Sequence, residues 1–367
     1  KVSSSLMPCS RCTIVSSRLC AFFPRSTFLS FISRRITHMM RMRASVPSTR
    51  RLIISGVSVI ERHYRLKNKW VQCGFIFYRI HVGLWLQGFM LFKKSRIYCD
   101  SASTTPLDPV VSKAMKATLG MFANPSSLYR EGTDVRDVII SCRRRVAKVL
   151  NANQYEIVFT SGGTESNNLA LVGVVESMVR SGRSYSSLHI ISTEIEHSSI
   201  LEPLKVLEKK GVRVTRIRPG QDGVVSVSDI KGAITPETVL VSVMYVNNEV
   251  GTIQPISKIG RLIEEEKQRR ESVSLRTPIF FHSDASQAPL ALSLSVDKLG
   301  VHLMTLDGHK MYGPKGVGML YVKRGTDIEP LFGGGGQEGG LRSTTENVLG
   351  IVGFTEALAL AHAEKDR

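Results

Sequence analysis

Seven short apolar runs rich in β-branched residues recur from residue 156 onward: EIVFTS (156–161), LHIIST (188–193), VRVTRIR (212–218), VLVSVMYV (239–246), PIFFHSDAS (278–286), HLMTL (302–306) and GVGMLYV (316–322). Stretches with helical spacing separate several of them: ESNNLALVGVVESMVR (165–180), SSILEPLKVLEKK (198–210) and ISKIGRLIEEEKQRR (256–270). Continuous apolar strands alternating with helices predict an α/β fold, a mainly parallel seven-stranded sheet covered by helices on both faces. Upstream, Val135, Val138, Ile139, Val146 and Val149 stripe one side of a helix over 133–150, and VVSKAMKATLGMF (110–122) has the same period. The run IYCDSASTTPLDP (97–109) reads as a short strand followed by a Ser/Thr/Pro turn. In such a sheet, reactive groups gather just past the carboxyl ends of the strands.

Charge changes the picture at residue 97. The chain has 367 residues and a net charge of +18, with 49 Lys/Arg and 31 Asp/Glu. Residues 1–96 hold 18 of those basic residues and one acidic residue, Glu61, so 97–367 carry 31 and 30 and are nearly balanced. The basicity therefore belongs to an N-terminal extension, and a direct nucleic-acid role for the remainder is not expected. Residues 1–69 have the Arg/Ser-rich, acid-poor composition of an organellar transit peptide or of a non-native upstream stretch. Trp70 to Phe92 is long enough to span a bilayer, but Arg79 and His81 sit at its middle. A central Arg costs roughly 2.5 to 3.5 kcal/mol on insertion scales, so an interfacial or non-native segment is the better reading. The six cysteines (Cys9, Cys12, Cys20, Cys73, Cys99, Cys142) form no disulfide framework, and Cys9-x-x-Cys12 lacks the second pair a zinc site needs, so no metal is expected.

The strand ends carry the chemistry. After EIVFTS, Gly162-Gly163-Thr164 opens a helix; this is either an anion site of free amides or a plain strand-to-helix turn. His197 follows LHIIST just ahead of a Ser-rich helix start, where a lone His is more often structural than functional. Asn247-Asn248-Glu249 ends the fourth run, and Asp284 ends the fifth, where a carboxylate needs a partner to be buried. His309-Lys310 follows the sixth, in a Gly/Pro turn, where a neighbouring cationic side chain would favour a nucleophilic amine. An anion cradle, a strand-end acid, an imidazole and a lysine together suit pyridoxal phosphate: the Lys for its aldehyde, the carboxylate for its ring nitrogen and the cradle for its phosphate.

Seven segments in order, IYCDSASTTPLDP, FTSGGTESNNLA, EIEHSSIL, VNNEVGTIQPI, HSDASQA, DGHKMYGPKGVGMLYV and GGGGQEGGLRSTTENV, resemble the cysteine desulfurases (IscS/NifS-like) of the class V aminotransferase group, which have the PLP fold type I. The resemblance covers 97–367. It implies a PLP-binding large domain over 97–345, the start of a small C-terminal domain over 346–367, and a homodimer. It implies that Lys310 forms the Schiff base and moves protons, and that His197 stacks on the pyridine ring and assists. Asp284 would pair with the ring nitrogen, Gln287 with the phenolic oxygen, and Asn248 with the substrate side. Gly163, Thr164 and His309 would hold the phosphate, and Thr345 would reach the phosphate of the partner subunit.

The implied activity is conversion of L-cysteine to L-alanine, with sulfur passed as a protein persulfide to an acceptor or scaffold for iron–sulfur cluster assembly or tRNA thiolation. A selenocysteine lyase, another class V PLP enzyme and a non-catalytic PLP-binding scaffold are the rival readings. A cytoplasmic location is expected, or the mitochondrial matrix if the basic segment is a transit peptide. The sequence departs from the family pattern at Asp307, where a phosphate-binding Ser is usual, at Gly339, where Arg is common, and at Thr344, where Gly is usual. The resemblance also places a mobile persulfide cysteine well beyond Lys310, and no cysteine follows Lys310 here, so the expectation is a cofactor-binding piece that does not itself turn over.

Overall fold

The computed structural model describes residues 49–54, 57–66, 69–78 and 97–365. The chain divides into two compact units, 1–96 and 97–367. In the first, β1 (Thr49–Ile54), β2 (Val57–Leu66) and β3 (Lys69–Tyr78) form an antiparallel sheet in the order β1-β2-β3. Of the stretch read as bilayer-length or interfacial, residues 70–78 lie in strand β3 and 79–92 fall outside the described residues. Most of the transit-peptide stretch and the Cys9/Cys12 pair also fall outside them. Among the described residues no helix is long and apolar enough to cross a membrane.

The second unit opens with helix α1 (Pro109–Ala117) and α2 (Arg130–Leu150). Strand β4 (Ile157–Thr160), α3 (Gly163–Arg180), β5 (His189–Thr193), α4 (Ser198–Lys209) and β6 (Arg213–Ile217) follow. Next come α5 (Val227–Ala233), β7 (Thr238–Ser242), α6 (Ile256–Ser272), β8 (Phe280–Asp284) and α7 (Val296–Leu299). β9 (Leu303–Asp307), β10 (Gly318–Val322) and α8 (Val348–Glu364) complete it. The seven strands are ordered β4-β10-β9-β8-β7-β5-β6. Every pairing from β9 through β8, β7 and β5 to β6 is parallel, and β10 runs antiparallel to both β9 and β4. This is the α/β, mainly parallel sheet that the sequence predicts.

Neighbouring strand residues alternate between two separate cores, as a pleat buried on both faces requires. Ile191, Val241, Phe281 and Met304 pack with residues of α2, α5, α6 and α8, whereas Ile190, Leu240, Phe280 and Leu303 pack with α3 and α4. Helix α8 thus shares the first core through Ile351, Phe354 and Leu358. One sequence expectation fails: Ile97–Asp100 forms no strand. Ile97 and Tyr98 are exposed with no neighbouring strand to bury them, and the Tyr98 hydroxyl instead donates to the carbonyl oxygens of Asp100 (2.8 Å) and Thr104 (2.9 Å), closing a loop.

Candidate active site

Because β4, β5, β7, β8 and β9 point the same way, their carboxyl ends meet at one edge of the sheet. Reversed β10 begins there, with Gly318 level with both Thr160 and Asp307. A Cβ on Gly318 would lie 2.7 Å from the Gly162 backbone, so only glycine lets the turn after β4 close over this strand. That turn reaches a cavity of about 430 Å³. Of the residues expected from sequence, Gly163, Thr164, His197, Asn248, Asp284, Gln287, His309 and Lys310 all line it. Thr345 does not; it lies exposed on the loop before α8.

Lys310 ends the 3-10 turn Gly308–Lys310 that continues β9. Its Nζ donates to the carbonyl oxygens of Ala102 (2.5 Å) and Ser103 (2.9 Å), and the Gln287 amide donates to the same Ala102 oxygen (2.9 Å). His309 is tied to this loop as well, through Nδ1 and the Thr104 hydroxyl (3.1 Å) and through its carbonyl, which accepts from the Thr105 amide (2.9 Å). The segment 102–105 therefore holds Lys310, His309 and Gln287 together. Its bracing role has no side-chain signature, since two of its contributions are backbone oxygens.

Asp284 is buried, and both carboxylate oxygens are engaged. Oδ1 accepts from the Ser286 amide (3.0 Å) and hydroxyl (2.6 Å), and Oδ2 accepts from the Asn167 side chain (2.7 Å). Asn167 also donates to the Ser199 hydroxyl (2.8 Å), which lies 2.8 Å from His197 Nδ1. The Ser199 amide donates to that same Nδ1 (3.2 Å), so His197 caps α4 with Nδ1 as acceptor, leaving Nε2 to carry the proton of the neutral ring. A chain of hydrogen bonds thus runs Asp284–Asn167–Ser199–His197. The sequence does not single out Asn167 or Ser199, although an Asn pair, Asn167-Asn168, at the start of an apolar helix pattern is a usable signal.

Beneath this chain lies Glu196. Its Oε1 accepts from the Thr193 hydroxyl and the Met244 amide, both at 2.8 Å, while Oε2 is buried with no partner. Burial, aided by the Asp284 charge, raises its carboxyl to about 8 against the pull of those hydrogen bonds, so it is protonated at neutral pH. His282, buried in the sheet between the Ser242 and Thr305 hydroxyls, is held down to about 4 by burial and stays neutral.

The Gly163 amide, first of helix α3, is already occupied: it donates to Asp307 Oδ2 at 2.7 Å. The Asp307 carboxylate also accepts from the His309 amide (3.3 Å) and lies 3.5 Å from His309 Nε2. Burial pushes the Asp307 carboxyl up, but the hydrogen bonds from His309 and Gly163 and the His309 charge outweigh it and hold the group below its ordinary value. Asp307 thus points into the cradle, not away from it.

The donor set otherwise fits pyridoxal phosphate. A lysine amine, a fixed buried carboxylate, an imidazole, a glutamine amide and the Thr164 hydroxyl surround one cavity of suitable size. The sequence pattern of the aminotransferase class-V family matches residues 97–366. A relative from Dictyoglomus turgidum named cysteine desulfurase IscS is 42% identical over 275 residues, 75% of this chain and 66% of its own. One of the same name from Clostridium botulinum is 44% identical over 267 residues, 72% of this chain and 63% of its own. The chain thus spans slightly less than two thirds of these relatives' length. The solved structure of a NifS-like protein superposes with a TM-score of 0.68 at 38% identity, covering 74% of this chain and 71% of that one. SspA in complex with cysteine superposes at 0.66, with 38% identity and 72% of each chain covered. The match over almost all of the second unit, its parallel sheet and the residues that meet at the strand ends agree: this chain belongs to the aminotransferase class-V family.

Proposed function

We propose that the protein is a pyridoxal phosphate-dependent cysteine desulfurase that takes sulfur from L-cysteine and leaves L-alanine, the sulfur passing as a protein persulfide to an acceptor or an iron–sulfur scaffold. One observation carries this reading: Lys310, Asp284 and His197 reach a single cavity from the ends of three strands, with α3 opening onto it. The names of the relatives and the cysteine complex of SspA support the substrate. Pyridoxal phosphate, when bound, supplies an electron sink for bonds at the α-carbon of an amino acid.

The chain's own residues supply the rest. Lys310 presents its amine to the cofactor's aldehyde from a short turn braced by the Ala102 and Ser103 carbonyls, and once released it can move a proton at Nζ. Asp284, fixed at both oxygens, offers its negative charge to a protonated ring nitrogen. His197, with Nδ1 committed to Ser199, turns its ring and Nε2 to the cavity. Gln287 and Asn248 supply neutral polar groups on the same wall, and Thr164 and His309 supply donors for the phosphate. Thr345 we assign to the phosphate of the partner subunit in a homodimer, as a residue exposed on its own chain. Residues 97–345 would form the cofactor domain and 346–367 would lead into a smaller one. Cys99 and Cys142, the cysteines of the second unit, are both free, which suits a reducing compartment such as the cytoplasm.

The reading is tested by adding L-cysteine to the chain loaded with pyridoxal phosphate. A change in the cofactor's visible spectrum with L-cysteine and none with L-serine is the expected result. A spectrum indifferent to all amino acids would overturn the assignment.

A further inference from the structure

Helices α1, α4, α5 and α8 begin with capping side chains of their own, from Asp108, His197, Ser226 and Asn347. Helices α2, α3, α6 and α7 do not, and in α3 the cap is Gly162, at φ +151°, with no side chain at all. The missing acceptor comes from another strand, 144 residues away, as the Asp307 carboxylate at 2.7 Å from the Gly163 amide. The space beside the Gly163 Cα is filled as well, since a Cβ there would lie 3.0 Å from Asp307 Oδ2 and 3.2 Å from Ser286 Oγ. A helix N-terminus bears about half a positive charge, which one carboxylate at its first amide largely satisfies.

We propose that Asp307 is a built-in anion at the phosphate end of this cavity, so that a phosphate-bearing ligand binds only by displacing the Asp307 carboxylate from the Gly163 amide. Asp307 is a specificity-determining residue: it penalises the phosphate twice, by occupying the amide and by presenting like charge. Ligands with the same pyridine aldehyde but no phosphate escape both penalties. His309 Nε2, 3.5 Å from Oδ2, is a second group for which the carboxylate and the phosphate compete. The inference rests on the cofactor reading above and concerns only how this chain receives the phosphate.

The test uses the full chain, freed of cofactor, and its D307S and D307N variants, with thermal melts to establish that each is folded. Pyridoxal phosphate and pyridoxal are each titrated by absorbance, and borohydride reduction with peptide mapping reports attachment to Lys310. The expected result is that D307S binds pyridoxal phosphate about tenfold more tightly or better, while its affinity for pyridoxal stays within about twofold. D307N, which removes the charge but still fills the amide, should fall between D307S and the parent protein. Equal affinities of all three proteins for pyridoxal phosphate would overturn the inference while leaving Lys310 attachment intact. An equal gain for pyridoxal would also overturn it, since the effect would then not involve the phosphate. Absence of attachment with either ligand would overturn the cofactor reading and the inference with it.

Discussion

Two adjacent parallel strands, β8 and β9, each end in a buried aspartate, and the two carboxylates do different work. Asp284 is held by Asn167 and Ser286, side chains and backbone that leave it on the wall of the cavity as a fixed charge. Asp307 is held by the amides of Gly163 and His309 and closes off the end of a helix. Both strands are five residues long and buried throughout, FFHSD and LMTLD, so burial alone does not distinguish the two acids. The difference lies in what faces each strand end: for Asp284, the Asn167 side chain from the second turn of α3; for Asp307, the bare amide where α3 starts. A carboxylate at a strand end takes its role from the nearest donors, and those come from elements far away in sequence.

The comparison breaks most decisively at Asp284. Asp284→Ala removes the acceptor of Asn167 and Ser286 and the charge proposed to face the cofactor ring. Its affinity for pyridoxal phosphate is expected to fall by about a hundredfold, measured by equilibrium dialysis. Retained affinity would place the ring elsewhere. Asn167→Ala tests the donor that separates the two aspartates. It strips one partner from Asp284 and one from Ser199, and is expected to cost about 2 kcal/mol in urea unfolding. It should also shift the pH dependence of cofactor binding, which a purely structural residue would leave in place.

Glu196, the buried acid behind Asp284, gives a smaller and pH-dependent effect. Its carboxyl is raised to about 8 in the folded protein from an ordinary value of 4.5. The folded state therefore holds a proton that the unfolded state has lost between those values. The associated stability is fully present below about pH 4.5 and is lost as pH rises through about 8. Glu196→Gln should be nearly neutral at pH 5 and progressively stabilising towards pH 8, seen as a melting-temperature difference that grows with pH. His189, His282 and His302, all held down to about 4 by burial, act in the opposite sense. They cost stability as pH falls from about 6.5 to 4, so the difference between variant and parent, not the parent curve, isolates Glu196.

Much of this was legible in the sequence because it depends on local pattern. All seven strands and the three helices read between them are where period and apolar content place them, and eight of the nine proposed site residues reach one cavity because strand ends in a parallel sheet must converge. The illegible parts depend on distant surfaces. Ile97–Asp100 has the composition of a strand and no neighbour to pair with. The bracing of Lys310 comes from carbonyl oxygens of Ala102 and Ser103, which no side-chain pattern encodes. Asp307 stood out as an unusual residue near a phosphate, but whether it faced the cradle depended on the Gly162-Gly163 turn packing onto β10.

The central claim is that Lys310 receives the cofactor. Borohydride reduction of the chain loaded with pyridoxal phosphate, followed by peptide mass mapping, tests it most directly. A pyridoxyl group is expected on Lys310 in the parent protein and none on the same peptide of Lys310→Ala. Label on another lysine, or label undiminished in Lys310→Ala, would contradict it.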